Sequence, residues 1–259
     1  MPVNEQKDSL HGAGLSDLYF LLVYILNRRD GINDWVFDRC REVQAQPDSC
    51  LDLWSREHYK STIITFALTI QDVLKNPEIT TGIFSHTRPM AKAFLKQIKN
   101  EFEQNEVLKK LYPEVLYADP KRESEQWSDD GGIIVKRKGN AKEATIEAWG
   151  VVDGQPTSKH FGLLVYDDVV TRESVTSVEQ IHNVTEAIKL SFNLGKRGGK
   201  KRMIGTRYSA GDSYGIFIEE KIFTPRIHAA TEDGKPDGQP VFLSREELAG
   251  KRRDMGIYL

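Results

Sequence analysis

The chain has 259 residues, enough for one large domain or two small ones, and 39% hydrophobic with 29% charged residues is the balance of a globular protein. A formal net charge of −2, from 36 basic and 38 acidic residues, excludes a uniformly basic surface that coats nucleic acid but leaves room for a local basic groove. The longest apolar run, Leu18 to Leu26, is interrupted by tyrosine and too short to span a bilayer, and the polar start MPVNEQKDSLHGAG lacks a signal-peptide core, so a cytosolic protein with no membrane partner is expected.

Ser16-Asp17 offer an N-cap for a helix over 18–26, which Asn27-Arg28-Arg29-Asp30-Gly31 ends. DWVFDRCREVQ (34–44) predicts a second helix, followed by a polar loop over 46–49. The two cysteines, Cys40 and Cys50, form no CxxC pair and are expected as buried thiols in a reducing compartment. Residues 50–53 predict a short strand, and STIITFALTIQDV (61–73) a helix buried against a sheet. ITTGIFS (79–85) reads as a buried strand, and 89–111 as a long amphipathic helix with Pro89 in its first turn. Residues 132–138 and 144–150 suggest an antiparallel pair, and FGLLVYDDVV (161–170) an apolar strand closed by two aspartates. A helix over 177–194, a strand over 201–209, shorter strands over 225–231 and 240–244 and a charged helical tail over 245–254 complete the pattern. The glycines of GGK and GDSYG read as turns. Alternating strands and helices argue for an α/β fold with a mostly parallel sheet and some antiparallel additions, where ligands bind at the carboxyl ends of strands.

Three stretches carry chemistry. LWSREHYKST (53–62) lies between an apolar strand and an apolar helix and ends in Lys60-Ser61-Thr62, as a phosphate-binding loop does. Aligned on that lysine, the pattern's glycines fall on Trp54 and Tyr59, so Tyr59 must adopt a backbone shape normally left to glycine. The physical requirements persist: backbone N–H groups at a helix start, Lys60 for the β- and γ-phosphates, Ser61 for Mg²⁺ and Arg56 as a second cation. An ordinary strand-to-helix corner fits the same letters. LLVYDDVV ends a strand in paired acids, with Asp167 placed to hold Mg²⁺ and Asp168 to act as general base on water; a strand ending in a solvated acidic turn is the alternative. MIGTRY (203–208) puts Thr206 at a strand end, where a small polar group can sense the γ-phosphate; a tight turn is the plainer reading. In this order, the first two make a nucleoside triphosphatase the leading reading.

In this spacing the three stretches resemble the large terminase subunit of tailed bacteriophages, the motor that packages DNA. The family loop often reads P-R-x-x-x-K-S-T, matched by Ser55-Arg56-Glu57-His58-Tyr59-Lys60-Ser61-Thr62. LLVYDDVV with its lead-in TSKHF, then Gly205-Thr206-Arg207, GTRYSAGDSYG and VFLSREELAGKRRDMG, extend the resemblance over nearly the whole chain.

The resemblance implies a P-loop NTPase of the additional-strand, conserved-glutamate type, with Asp168 where a glutamate is usual. It implies one ATPase domain: a helical lead-in over about 1–49, a core over about 50–210 and an extension over about 211–259. It implies ATP and Mg²⁺ as cofactors, and double-stranded DNA, the portal protein and the small terminase subunit as partners. Self-association into a ring during packaging is implied, with a monomer in isolation, located in the host cytoplasm and transiently at the procapsid portal. Residues 55–62 would bind nucleotide, Asp168, Lys60 and Arg56 would be catalytic, Ser61 and Asp167 would hold the metal, and Thr206 would couple hydrolysis to movement. The chain stops at Leu259, so no nuclease domain and no nuclease activity are expected. Trp35 and Phe37 are adenine-contact candidates, with core packing as the other reading. A trans-acting cation could be Arg122, Arg137, Lys159 or Arg172, though a solvated surface charge is the plainer reading of each. KRGGKKR (196–202) reads either as a solvated loop or as a DNA-phosphate contact. His58 reads as a packing or solvated residue rather than a catalytic one, and the six histidines show no metal-ligand spacing. A helicase-like or kinase-like enzyme, or an interaction module that has lost nucleotide, are the alternatives.

Overall fold

The computed structural model describes residues 3–255. Met1 and Pro2 of the polar start and Gly256 of VFLSREELAGKRRDMG lie outside the described residues. Eight strands form one sheet: β1 (Cys50–Trp54), β2 (Thr81–Ser85), β3 (Trp127–Ser128), β4 (Gly132–Ile133), β5 (Ile146–Gly150), β6 (Phe161–Asp167), β7 (Gly195–Gly205) and β8 (Thr224–His228). Their order is β3-β4-β5-β2-β6-β7-β1-β8. All pairings are parallel except β3–β4 and β4–β5 at one margin. β7 therefore separates the strand of the Lys60 loop, β1, from the strand of the acid pair, β6. That is the inserted strand the additional-strand class requires.

Strand alternation builds two cores, one on each face of the sheet. Leu163 and Val165 of β6 join Ile204 and Ile83 in one, and Leu164 and Tyr166 join Leu51, Leu53 and Met203 in the other. The first face is covered by α1 (Val3–Ser16), α2 (Leu18–Phe20), α3 (Asp34–Ala45), α4 (Thr69–Lys75) and α5 (Arg88–Gln104). A π-helical stretch, Leu21–Ile25, continues α2, and another, Thr62–Leu68, leads into α4. The short helices α6 (Glu106–Leu111) and α7 (Pro120–Glu123) follow α5. The second face is covered by α8 (Val178–Ser191) and α9 (Ser213–Glu219), and α10 (Arg245–Met255) closes the described chain. Both cysteines are free and buried, as expected of core thiols.

Several local expectations need correction. The polar start is helical in α1, which the composition did not suggest. The 89–111 helix is two helices, because the Asn105 side chain accepts from Leu108 N at 2.9 Å and caps α6. The 132–138 and 144–150 stretches are antiparallel as expected but share one ladder pair, Ile133 with Ile146, beside a bond from Val135 N to Thr145 Oγ1 at 3.2 Å, and β5 pairs mainly with β2. β6 stops at Asp167 rather than 170, because Asp168 turns to φ +49. β7 runs from Gly195 to Gly205, so KRGGKKR belongs to a strand, and Ser209 lies beyond its end. Residues 240–244 form no strand; one isolated bridge joins Thr231 to Pro240. Gly215 sits inside α9, whose N-cap Asp212 accepts from Gly215 N at 3.0 Å.

Candidate nucleotide site

Parallel register sets the ends of β1, β7 and β6 side by side. Leu53 pairs with Gly205, and Ile204 with Asp167, so Trp54, Thr206 and Asp167 emerge on one edge. The loop from Ser55 to Lys60 makes its turns without glycine: Glu57 has φ +61 and Tyr59 φ +63. Left-handed backbone costs a non-glycine residue about 1–2 kcal/mol, so the loop must be held by its packing. Its clamps are visible. His58 is buried, with Nδ1 donating to the Arg56 carbonyl at 2.7 Å, and its ring lies 5.4 Å from Trp35 and 5.7 Å from Phe242. Tyr59 packs on Phe242 at 5.6 Å, and burial together with Asp30 raises its phenol above the ordinary range. Lys251 of α10 pairs with the exposed Glu57.

Lys60 is buried, and its ammonium donates to Trp54 O at 3.2 Å, Gly205 O at 2.9 Å and Thr206 Oγ1 at 2.9 Å. Burial pulls its pKa down, and the charges of Asp168 and Asp167 oppose that. The loop lysine and Thr206 are thus in direct contact. Ser61 Oγ donates to Asp167 Oδ1 at 3.1 Å, and Thr65 Oγ1 to Oδ2 at 2.5 Å. Asp167 is fully buried; burial and the neighbouring Asp168 push it up to about 7 against the hydroxyls and Lys60. Asp168 is half-buried, its backbone bonded to Ile204 O and His86 N at 3.2 Å each.

The remaining loop candidates spread around this centre. Arg56 donates to the Tyr208 hydroxyl at 2.7 Å and lies over its ring at 5.5 Å. Ser55 gives its N–H to His228 O at 3.1 Å, and Thr62 is half-buried at the start of the π-helical stretch. Trp35 packs edge-on against Trp54 and His58 at 5.4 Å each, as a core aromatic does. Phe37 is exposed and stacks with Tyr19 and Arg41 instead. Of the trans-cation candidates, Arg137 is spent on the Glu143 and Ala141 carbonyls at 2.8 Å each, and Lys159 on Glu147 at 2.9 Å. Arg122 is paired with Asp119 at 3.5 Å, and Arg172 is exposed four residues past Asp168.

Thr65, Tyr208, Phe242 and Lys251 escaped sequence reasoning. Only Thr65 left a signal, since four residues after Ser61 is the next turn of the same helix face.

A hard divalent cation fits this corner. Ser61 Oγ and an Asp167 oxygen, 3.1 Å apart, are oxygen donors of the kind Mg²⁺ takes, and Mg²⁺ draws its other ligands from phosphates and water. Among the described residues no group of three or more His, Cys, Asp or Glu is placed to hold a metal ion.

No protein-family model and no curated protein sequence matches the chain. Among solved structures it is similar to a point mutant of the large terminase ATPase domain of Thermus phage P74-26. The two are 16% identical, with 83% of this chain and 86% of that chain covered and a TM-score of 0.48.

Proposed function

We propose that the chain is an Mg²⁺-dependent ATPase that drives double-stranded DNA into a procapsid, the ATPase part of a large terminase subunit. The observation that carries the ATPase reading is the convergence of three chain-distant pieces. Ser61 meets Asp167, and Lys60 meets Thr206, on one sheet edge. In this reading the N–H groups at the start of the helix bind phosphate oxygens, and Lys60 exchanges its carbonyl partners for the β- and γ-phosphates. Ser61 and Asp167 hold Mg²⁺, whose chemistry is neutralisation of charge on the phosphate oxygens. Asp168, at the rim of the buried carboxylate, orients water and takes its proton. Arg56, released from Tyr208, supplies a cation in cis. Thr206 reports the γ-phosphate through its bond to Lys60 and passes the change into β7.

The motor part rests on the resemblance of the loop, acid and coupling stretches to terminases. It brings with it the portal protein, the small subunit, a ring of copies and the infected-cell cytoplasm. The competing reading, an interaction module that no longer binds nucleotide, draws on the missing glycines. Against it, Tyr59 reaches φ +63 without glycine, so the loop keeps the required shape. Phosphate release from ATP with Mg²⁺ tests the reading. Turnover that EDTA abolishes and that Lys60→Ala or Asp168→Ala lowers by at least about a hundredfold is expected. Turnover unchanged in both variants would overturn it.

A further inference from the structure

The sheet edge opposite the nucleotide corner holds a second group of cations. β7 begins in a bulge, where two steps along β6 from Phe161 to Leu163 face five along β7 from Gly195 to Lys200. Past the bulge the strand alternates. Lys201 turns to the α8 side, its ammonium 4.7 Å from the Phe192 and Phe223 rings. Lys200 and Arg202 turn to the α4 side and line a cavity of about 430 Å³ with Lys75, Lys196, Asp72 and Glu78.

Four cations therefore face two acids, and both acids are already engaged. Asp72 Oδ2 accepts from Arg202 Nη2 at 2.5 Å. Glu78 accepts the Lys138 and Gly139 N–H groups at 2.6 and 3.0 Å. Arg202 is only 2% exposed, and its Nε donates to Pro47 O at 2.7 Å, yet its Nη1 has no partner. A buried guanidinium nitrogen left unpaired is costly, and the residue that carries it lines this cavity. The Lys75 ammonium is held below the ordinary lysine range, first by burial and then by Arg202 and Lys200, with Asp72 opposing. Cations crowd here, as they do where an anion is to be received.

We propose that this cavity binds a phosphate group, and that the group is a backbone phosphate of double-stranded DNA. Phosphate has the acceptors that an arginine fork and neighbouring ammonium groups can share. DNA is favoured over a free ion because Lys196, Arg197 and Lys200 are exposed around the bulge. A polymer with regularly spaced phosphates engages them all, and one ion does not. The identity of the polymer rests on the motor reading above; the phosphate chemistry does not.

The test uses the full chain, a short labelled duplex and inorganic phosphate, with ATP hydrolysis measured on the same preparations. Lys200→Glu is an exposed change that keeps the fold, and Lys75→Gln removes one wall charge. Duplex affinity is expected to fall at least about tenfold in Lys200→Glu and several-fold in Lys75→Gln. The slope of log affinity against log salt should drop by about one for each DNA phosphate no longer neutralised. DNA-free ATP hydrolysis and the urea midpoint should not change. Duplex binding and phosphate binding both unaffected by the variants would overturn the proposal. Loss of phosphate binding with duplex binding intact would support the cavity and overturn DNA as its occupant. Loss of duplex binding in a chain that hydrolyses no ATP would support the cavity and break the motor reading alone.

Discussion

The two ends of β7 hold buried cations in opposite states. At the Gly205 end, Lys60 is saturated by two carbonyls and the Thr206 hydroxyl. Three residues back along β7, on the side of its Gly195 end, Arg202 is more deeply buried but keeps Nη1 unpartnered, and it lines one cavity with Lys75 and Lys200. On the proposed reading, a saturated cation keeps its corner folded without ligand and exchanges partners for phosphate. An unsaturated one is a standing cost to the fold. On the two proposals the contrast separates a corner that turns over from one that holds, and each end can be broken without the other.

The largest effect belongs to Asp168. Asp168→Asn should lower kcat by about 10²–10⁴-fold in steady-state hydrolysis while nucleotide affinity stays near native, as loss of a general base does. Lys60→Ala should cost about 10²–10³-fold, the usual loss on removing one transition-state donor. Neither change should alter duplex binding at the other end of β7, and if either does, the two ends are not independent. Thr65→Val leaves Asp167 Oδ2 without its hydroxyl, so urea unfolding should show a loss of about 1–3 kcal/mol.

His58 gives a pH test of the loop clamp. Burial lowers its pKa, so above the unfolded-state value near 6.5 both states are neutral and nothing is lost. As pH falls through that value, the unfolded chain takes a proton that the folded chain refuses, and stability declines until the folded value is passed. His58→Phe should make the urea midpoint fall less between roughly pH 7 and 5 than it does in the native chain. An identical decline in both would remove His58 from the clamp. The smallest effect is Glu57→Gly. Relief of φ +61 should outweigh glycine's entropy and an exposed pair with Lys251, raising stability by about 0.5–1 kcal/mol.

The residues that meet at the candidate corner were legible where chemistry is local. Lys60-Ser61 opening an apolar helix and Asp167-Asp168 closing an apolar strand declare themselves by spacing, and alternation of strands and helices indicated the parallel sheet. Tyr59 in a glycine's conformation also followed from alignment of the loop on Lys60. What packing decides was hidden. Phe242 lies in PVFLS, apolar enough to read as strand, but its ring is used to cover His58 and Tyr59. KRGGKKR looks like loop because glycine and charge disfavour strands, yet β6 and β1 offer ladders on both sides of β7 and override that preference beyond the bulge. Asn105 continues an amphipathic pattern by spacing, and only its side-chain bond to Leu108 N reveals the break.

Calorimetric titration of a non-hydrolysable ATP analogue with Mg²⁺ tests most directly whether the Lys60 and Asp167 corners share one anion. The native chain should bind, and Lys60→Ala and Asp167→Asn should each weaken binding at least about tenfold, with the double variant losing less than the product of the two. Absence of binding to the native chain at millimolar analogue, or losses that simply multiply, would contradict a shared site.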